Sequence, residues 1–430
     1  MIKKYSFLQI KEDRKSLFLT AFLSIILFWI GLGIGDNMSD FRFWIDNTWM
    51  TVKLEWLFVI VYIIITAKLP SLYILWGKYR FVTLIAALWL ITVTLSYFIS
   101  PYYSWQNPLA FMRYAETISH FIFFLFLWDF FNRYRVDYRI IFSSIILSTL
   151  VVMSYFIYIH FTFPDLKADL HVFSIRSDKL VLNTHIHRIG YQVETTIAFA
   201  IAFLFSKNHK YISIILIGAL FLFLLWLGGR ASILGIVVSL LVMLFYFRQK
   251  FSLKIFIYSG VIITLLGFMA LYFNFLDLSY FTHALKKTFQ AGSLEHLMSG
   301  RIQVWSLVIK ELHTDWLLGA GPQSYFFYPD RHPDVIHAHN WILQMLGEWG
   351  LVGTGLFGIL FYHAIRYSMI HHLRQVAYTN PYNLVAGLVI LSLTITGLFS
   401  GTYFFHQTSV YLALAFSLWV SPSDIQKSNC

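Results

Sequence analysis

Long apolar runs separated by brief polar connections set the plan of this chain. Twelve stretches, roughly 18–34, 54–67, 80–99, 113–130, 139–162, 191–206, 210–227, 231–247, 255–275, 341–365, 384–401 and 405–420, are candidate membrane crossings. A hydrocarbon core needs about 20 apolar residues of helix, and fewer where neighbours shield the ends. The second run is short, and the turns joining the sixth, seventh and eighth are very tight. The pattern predicts an all-α polytopic membrane protein of about twelve transmembrane helices, with residues 1–430 forming a single integral membrane domain.

Composition agrees with the pattern. Of 430 residues, 58% are apolar and 19% aromatic, and only 12% are charged; a soluble domain carries about 25% charged residues. The cations then orient the helices. With the N-terminus cytoplasmic, Lys3, Lys4, Lys11, Arg14 and Lys15, then Lys68, Lys78 and Arg80, then Arg133, Arg135 and Arg139 fall on the inner side. Lys207, Lys210, Arg248, Lys250, Lys254, Arg366 and Arg374 continue the same alternation. The net charge of +11 therefore belongs to connections beside anionic lipid and gives no sign of nucleic-acid binding. The first apolar run is full length and ends in WIGLGIGDNM, with no small-residue cleavage site, so it reads as a retained helix. The single cysteine, Cys430, allows no intrachain disulfide. No internal repeat or low-complexity tract is visible.

Two outer segments are long enough to build something, about 163–190 and 276–340, and both are rich in His, Arg and aromatics. The second ends in VIHAHNWILQMLGEWGLVGTG, where His337, His339 and Asn340 lead straight into an apolar helix. A histidine at a water-facing helix mouth can hold or accept a proton near neutral pH, and Asn340 stands where an N-cap belongs. Three arginines occur at outer helix ends or in the long loop: Arg188 in THIHRIG, Arg230 in LGGRAS and Arg301 in SGRIQVW. A guanidinium offers a fork of donors suited to phosphate oxygens, and a charge beside hydrocarbon is costly enough to suggest function. The plainer alternative is a headgroup anchor for Arg230, and a solvated or lipid contact for Arg188 and Arg301. After SGR, Val304, Leu307, Val308 and Leu312 recur at helical spacing and predict a helix with one apolar stripe. Gly350, Gly353, Gly355 and Gly358 read as positions of close helix packing.

Metal and nucleotide chemistry find little support. His337 and His339 are two apart, not the four of a helical zinc pair, and no cysteine or immediately flanking acid joins them. Asp36, Asp40 and Asp46 are loosely spaced in the first outer loop, and LLGAGPQSY lacks the GK[ST] ending of a phosphate loop. His171, His185, His187, His283, His296, His313 and His332 read as ordinary polar loop residues.

In order, RIG, GGRAS, SGRIQVW, LLGAGPQSYF and HAHNWILQMLGEWGLVG resemble the motifs of the O-antigen ligase superfamily, which also holds O-linked protein oligosaccharyltransferases and polysaccharide polymerases. The resemblance covers roughly residues 185–365, the region similar to the family's catalytic core. It implies a GT-C type glycosyltransferase with a long periplasmic loop between helices 9 and 10. Such an enzyme sits in the bacterial inner membrane, faces the periplasm, and moves a glycan from undecaprenyl pyrophosphate to an acceptor hydroxyl on lipid A-core or protein. By motif position, His339 becomes the catalytic residue; Arg188, Arg230 and Arg301 become the pyrophosphate-binding residues, with Asn340 and His337 in support. No metal or other cofactor is implied.

A transporter for the same lipid-linked sugar would also need cations near the membrane. It would place its polar groups at the midplane and show repeats, whereas here they gather on one side. Ligase, protein glycosylase and polymerase stay open as acceptor choices, and the absence of an evident extra C-terminal domain favours the ligase. The topology is checked by placing single cysteines at Ser293 and Asp334 and labelling intact spheroplasts with a membrane-impermeant thiol reagent. Both positions are expected to label, and protection of both would reverse the orientation.

Overall fold

The computed structural model describes residues 2–33, 40–70, 72–102, 108–162, 186–204, 210–247, 300–332, 335–371 and 381–421. Among the described residues the chain is helical and contains no strand. Five helices open it: α1 (Ile2–Leu32), α2 (Asp40–Thr66), α3 (Leu72–Ile99), α4 (Pro108–Arg133) and α5 (Tyr138–Thr162). Then come α6 (Ile186–Leu204), α7 (Lys210–Leu227) and α8 (Arg230–Phe247). After residue 300 follow α9 (Arg301–Asp315), the short α10 (Ser324–Phe327), α11 (Trp341–His371), α12 (Pro381–Gly397) and α13 (His406–Val420). Eleven of the twelve expected crossings fall on these helices; the ninth, 255–275, lies outside the described residues, as do 163–185 and 276–299 of the two outer segments. Seven helices, α1 to α5, α7 and α11, are long and apolar enough to cross a membrane, and α8 and α12 hold shorter apolar stretches. This is a multi-pass membrane protein.

Its outside is greasy and its inside is partly polar. Leu17, Ile25, Ile64, Ile91, Leu147, Ile212 and Leu241 are exposed, as lipid-facing side chains should be. Inside, where lipid offers no hydrophobic drive for helices to associate, small and hydroxyl residues let backbones approach. Thr20, Ser24, Thr92, Thr149, Thr195, Ser239 and Ser417 each satisfy a buried hydroxyl by donating to the carbonyl four residues earlier. Helix α6 is buried along every described side chain from Arg188 to Ala202, which explains how it can carry Gln192, Glu194, Thr195 and Thr196. Glu194 accepts from Ser392 and, at 2.7 Å, from Thr396, both on α12.

Ends expected on one side of the membrane do meet. Ser16 bonds to the Arg135 carbonyl, Arg133 reaches the Leu69 carbonyl at 3.2 Å, and the rings of Tyr138 and Tyr382 lie 5.2 Å apart. Arg113, Arg188 and His337 come together at the opposite ends of their elements.

The tenth expected crossing, α11, is broken. At Gly350 the backbone has φ 62° and ψ −168°, a conformation open almost only to glycine. The chain from Trp316 to Gly321 lies against the break and makes good its hydrogen bonds. Ala320 and Gly321 donate to the carbonyls of Gly347 (2.8 Å) and Glu348 (3.1 Å), while Leu351 and Val352 donate to those of Trp316 (2.9 Å) and Leu317 (3.1 Å). The approach is close: a Cβ on Gly350 would stand 2.4 Å from the Gly319 nitrogen and the Leu317 oxygen. The four glycines read above as packing positions therefore do different things. Gly350 permits the break, Gly353 faces Thr92 of α3, and Gly355 and Gly358 have no described neighbour within 4 Å of an added Cβ. Among the described residues the last two have no packing partner.

Alanine substitution separates these roles. Gly350→Ala is expected to lose about 1–3 kcal/mol from backbone strain alone, with the steric clash added, whereas Gly355→Ala should stay within about 1 kcal/mol of the parent. Thermal unfolding in detergent reads both, and equal midpoints would remove the argument from the break.

Candidate functional site

The site is assembled where the chain enters α11. The Asn340 Oδ1 accepts the backbone N–H groups of Ile342 (2.9 Å) and Leu343 (3.1 Å), capping the helix, and its amide donates to the Leu398 carbonyl at 3.0 Å. One residue earlier His339 takes a left-handed backbone, φ 52°, which histidine tolerates better than most side chains. His337 and His339 therefore lie in neither helix nor strand, and the turn brings their ring centroids to 4.1 Å. His339 is half-buried; His337 is buried, stacked on Phe404 at 4.6 Å and edge-on to Phe405 at 5.3 Å. The Nδ1 of His337 accepts the His339 backbone N–H at 3.0 Å, which leaves its proton on Nε2. Gly401 makes room for this ring, since a Cβ there would lie 2.5 Å from the His337 Cε1.

Residues on either side of His337 are braced from below and from above. The Ala338 N–H donates to Gln344 Oε1 at 2.8 Å, and the Ala338 carbonyl accepts from the Trp305 indole of α9 at 3.1 Å. Gln323, itself left-handed at φ 61°, donates from Nε2 to the Ile336 carbonyl at 3.0 Å. The expected apolar stripe on α9 is present: Val304, Leu307 and Val308 are buried against Ala320, Tyr325, Tyr328 and Ala338, with Leu312 beside them. The long segment thus carries a helix that lies directly on the histidine turn.

Beneath the turn runs a chain of buried ionic groups that the sequence reading passed over. Glu348 of α11 meets Arg113 of α4 (3.4 Å), Arg113 meets Glu116 (3.0 Å), Glu116 meets His120 (3.4 Å), and His120 meets Glu55 of α2 (2.6 Å). Arg113 also donates to the carbonyls of Phe404 and Tyr403, each at 3.2 Å. The signal was available in MRYAETISH, where three ionisable residues spaced three and four apart interrupt an apolar run.

On the other flank, Arg188 and Arg301 each lie within electrostatic range of Tyr191, and Arg230 within range of Arg301. Arg188, in the first turn of α6, is buried with its guanidinium carbon 4.6 Å from the Phe405 centroid. It lies within electrostatic range of Tyr191 and Glu116. Arg301, which opens α9, and Arg230, which opens α8, are half-buried and within range of each other, and Arg301 also feels Tyr191. Burial pulls the Arg301 pKa below its ordinary value; Tyr191 opposes the shift and the Arg230 charge adds to it. Tyr191 is the common neighbour, its hydroxyl bonded to Ser400 and its ring 5.9 Å from Phe405. Phe405 thus touches both halves of the site, with Arg188 over it and His337 at its edge. Neither Tyr191 nor Phe405 was singled out from the sequence. Among the described residues no group of three or more His, Cys, Asp or Glu is placed to hold a metal ion; Asp36 and the side chains of Asp40 and Asp46 lie outside them.

Cationic side chains and a half-buried imidazole thus stand at one end of a helical membrane bundle. Residues 214–358 match a family model described as O-antigen ligase, which shows the resemblance to the O-antigen ligase superfamily over that stretch. The matched stretch holds Arg230, Arg301, His337, His339, Asn340 and Glu348. The chain matches no curated protein. The family supports, in general terms, an enzyme of glycosyltransferase-like ligase or polymerase type acting on a lipid-linked glycan and an acceptor.

The fit of His337 against the α12–α13 turn can be probed at Gly401. Gly401→Ala should push the imidazole off Phe404 and lower stability by about 1–3 kcal/mol, the cost of overpacking. An unchanged unfolding midpoint in detergent would mean that the ring has room to yield.

Proposed function

We propose that this protein transfers a glycan from undecaprenyl pyrophosphate to an acceptor hydroxyl at the periplasmic face of the inner membrane, and that the acceptor is lipid A-core. The observation that carries the reading is the shared neighbourhood of Arg188 and the histidine turn on Phe405. It sets the Arg188 guanidinium and the His337 ring against one aromatic ring, with the His339 imidazole beside His337.

In this reaction the bond between the anomeric carbon and the pyrophosphate oxygen breaks as the acceptor oxygen bonds to that carbon. Arg188, Arg230 and Arg301 hold the pyrophosphate and stabilise the charge that grows on it as it leaves. Fixed cations in a low-dielectric setting need no reorganisation to do so. His339, at the mouth of α11, takes the proton of the acceptor hydroxyl or aligns that hydroxyl. His337 supports it by receiving its backbone N–H, and Asn340 by starting the helix.

His339→Ala is expected to reduce glycan transfer by about 100-fold or more, the usual worth of a positioned acid or base, with donor binding retained; His337→Ala should be milder. Arg230→Lys and Arg301→Lys keep the charge but lose the fork and should lose most activity. The measurement is transfer by detergent-solubilised variants to purified lipid A-core, to peptide and to free glycan, with donor binding in parallel. Full transfer by His339→Ala would overturn the catalytic assignment, and transfer to peptide or glycan in place of lipid A-core would overturn the acceptor.

A further inference from the structure

The ionic chain beneath the histidine turn ends in a carboxylate whose bonding is unusually complete. Glu348 is fully buried. Its Oε1 accepts the Gln344 side-chain amide at 2.6 Å and the Gln323 backbone N–H at 3.1 Å, and its Oε2 accepts Arg113 Nε at 3.4 Å. Each glutamine also reaches the turn with its side chain. Gln344 accepts from Ala338 N–H, and Gln323 donates to the Ile336 carbonyl. The two bonds grip the backbone immediately before and immediately after His337.

We infer that Glu348 is a positioning residue for the transfer reaction, acting through Gln344 and Gln323 to hold residues 336–340 in the shape that presents His339. The inference rests on the role given to His339 above. A buried carboxylate is costly and a plain helix needs none there. Three donors converge on this one, and an amide in its place would have to set its N–H₂ against either the Arg113 guanidinium or the two glutamine donors. The left-handed backbone of His339 is a conformation that persists only where the surroundings over-determine it. The Glu348 brace and the Asn340 cap supply that determination. Misplacing a reacting group by about 1 Å from a remote change costs about 100-fold in rate.

Kinetics on the purified full chain, with undecaprenyl-pyrophosphate-linked glycan and lipid A-core, test the inference. Gln344→Leu leaves the Glu348–Arg113 pair intact and is the primary variant. It should lower kcat by about 10- to 100-fold with the donor KM within about threefold of the parent. Glu348→Gln should do the same, and the double variant should lose no more than Glu348→Gln alone, because both act along one path. If Glu348→Gln fails to fold, Gln344→Leu and Gln323→Leu decide. A parental kcat in Gln344→Leu, a loss confined to KM, or losses that multiply in the double variant would overturn the inference. His339→Ala runs alongside. Transfer retained there removes the reading of the site and this inference with it; an inactive His339→Ala beside a fully active Gln344→Leu overturns the inference alone.

Discussion

The break at Gly350 is the constraint from which the rest of the site follows. Inside a membrane an unpaired peptide group costs several kcal/mol, so a helix interrupted there must be repaired by protein. Residues 316–321 supply the repair with four backbone hydrogen bonds, and Ser96 adds a bond to the Glu348 carbonyl at 2.5 Å. The repair has two effects. It anchors the loop that carries Gln323 to a fixed level of α11, and it fixes Glu348, two residues before the break, facing that loop. The histidine turn is then built on a floor belonging to three elements, α3, α11 and the 316–323 loop.

Charge is the second organising cost. Glu55, His120, Glu116, Arg113 and Glu348 alternate acid and base along a buried line from α2 to α11. Alternation lets each member meet an opposite partner, which is the condition under which buried ions are tolerated. The line also does mechanical service. Arg113 ties α4 to the carbonyls of Tyr403 and Phe404, so the turn that stacks on His337 is held by the same group that pairs with Glu348. On the far flank, the Arg230 charge acts on Arg301 in the same sense as burial, each lowering its pKa.

Hydropathy alone located eleven helices, because lipid demands about 20 apolar residues per crossing and punishes exceptions. The cap at Asn340 and the stripe Val304, Leu307, Val308 and Leu312 were also legible, since each depends on spacing within one short segment. What escaped depends on distant segments meeting. Arg113 and Glu116 sat inside a stretch read simply as a crossing, and nothing local tells that their partners are Glu348 and His120. Gly350 carries no mark that separates it from Gly355, although one breaks the helix and the other has no described neighbour within 4 Å of an added Cβ. Phe405 is one of 43 phenylalanines, and only the fold reveals which ring stands between Arg188 and His337. Motif resemblance supplied the roles given to the arginines and His339, which the physical reading of isolated residues sets beside plainer readings as headgroup anchors and lipid contacts.

Phe405 has a thermodynamic corollary. One rigid ring borders the guanidinium of Arg188 and the imidazole of His337, so an occupant that settles one of these contacts biases the other. Such coupling is reciprocal. In the proposed reaction, donor seated against Arg188 would act on the turn bearing His339, and acceptor engaged at His339 would act on the grip on the donor. The two substrates would then be coupled, each changing the other's affinity by the same factor, although they never touch the same side chain.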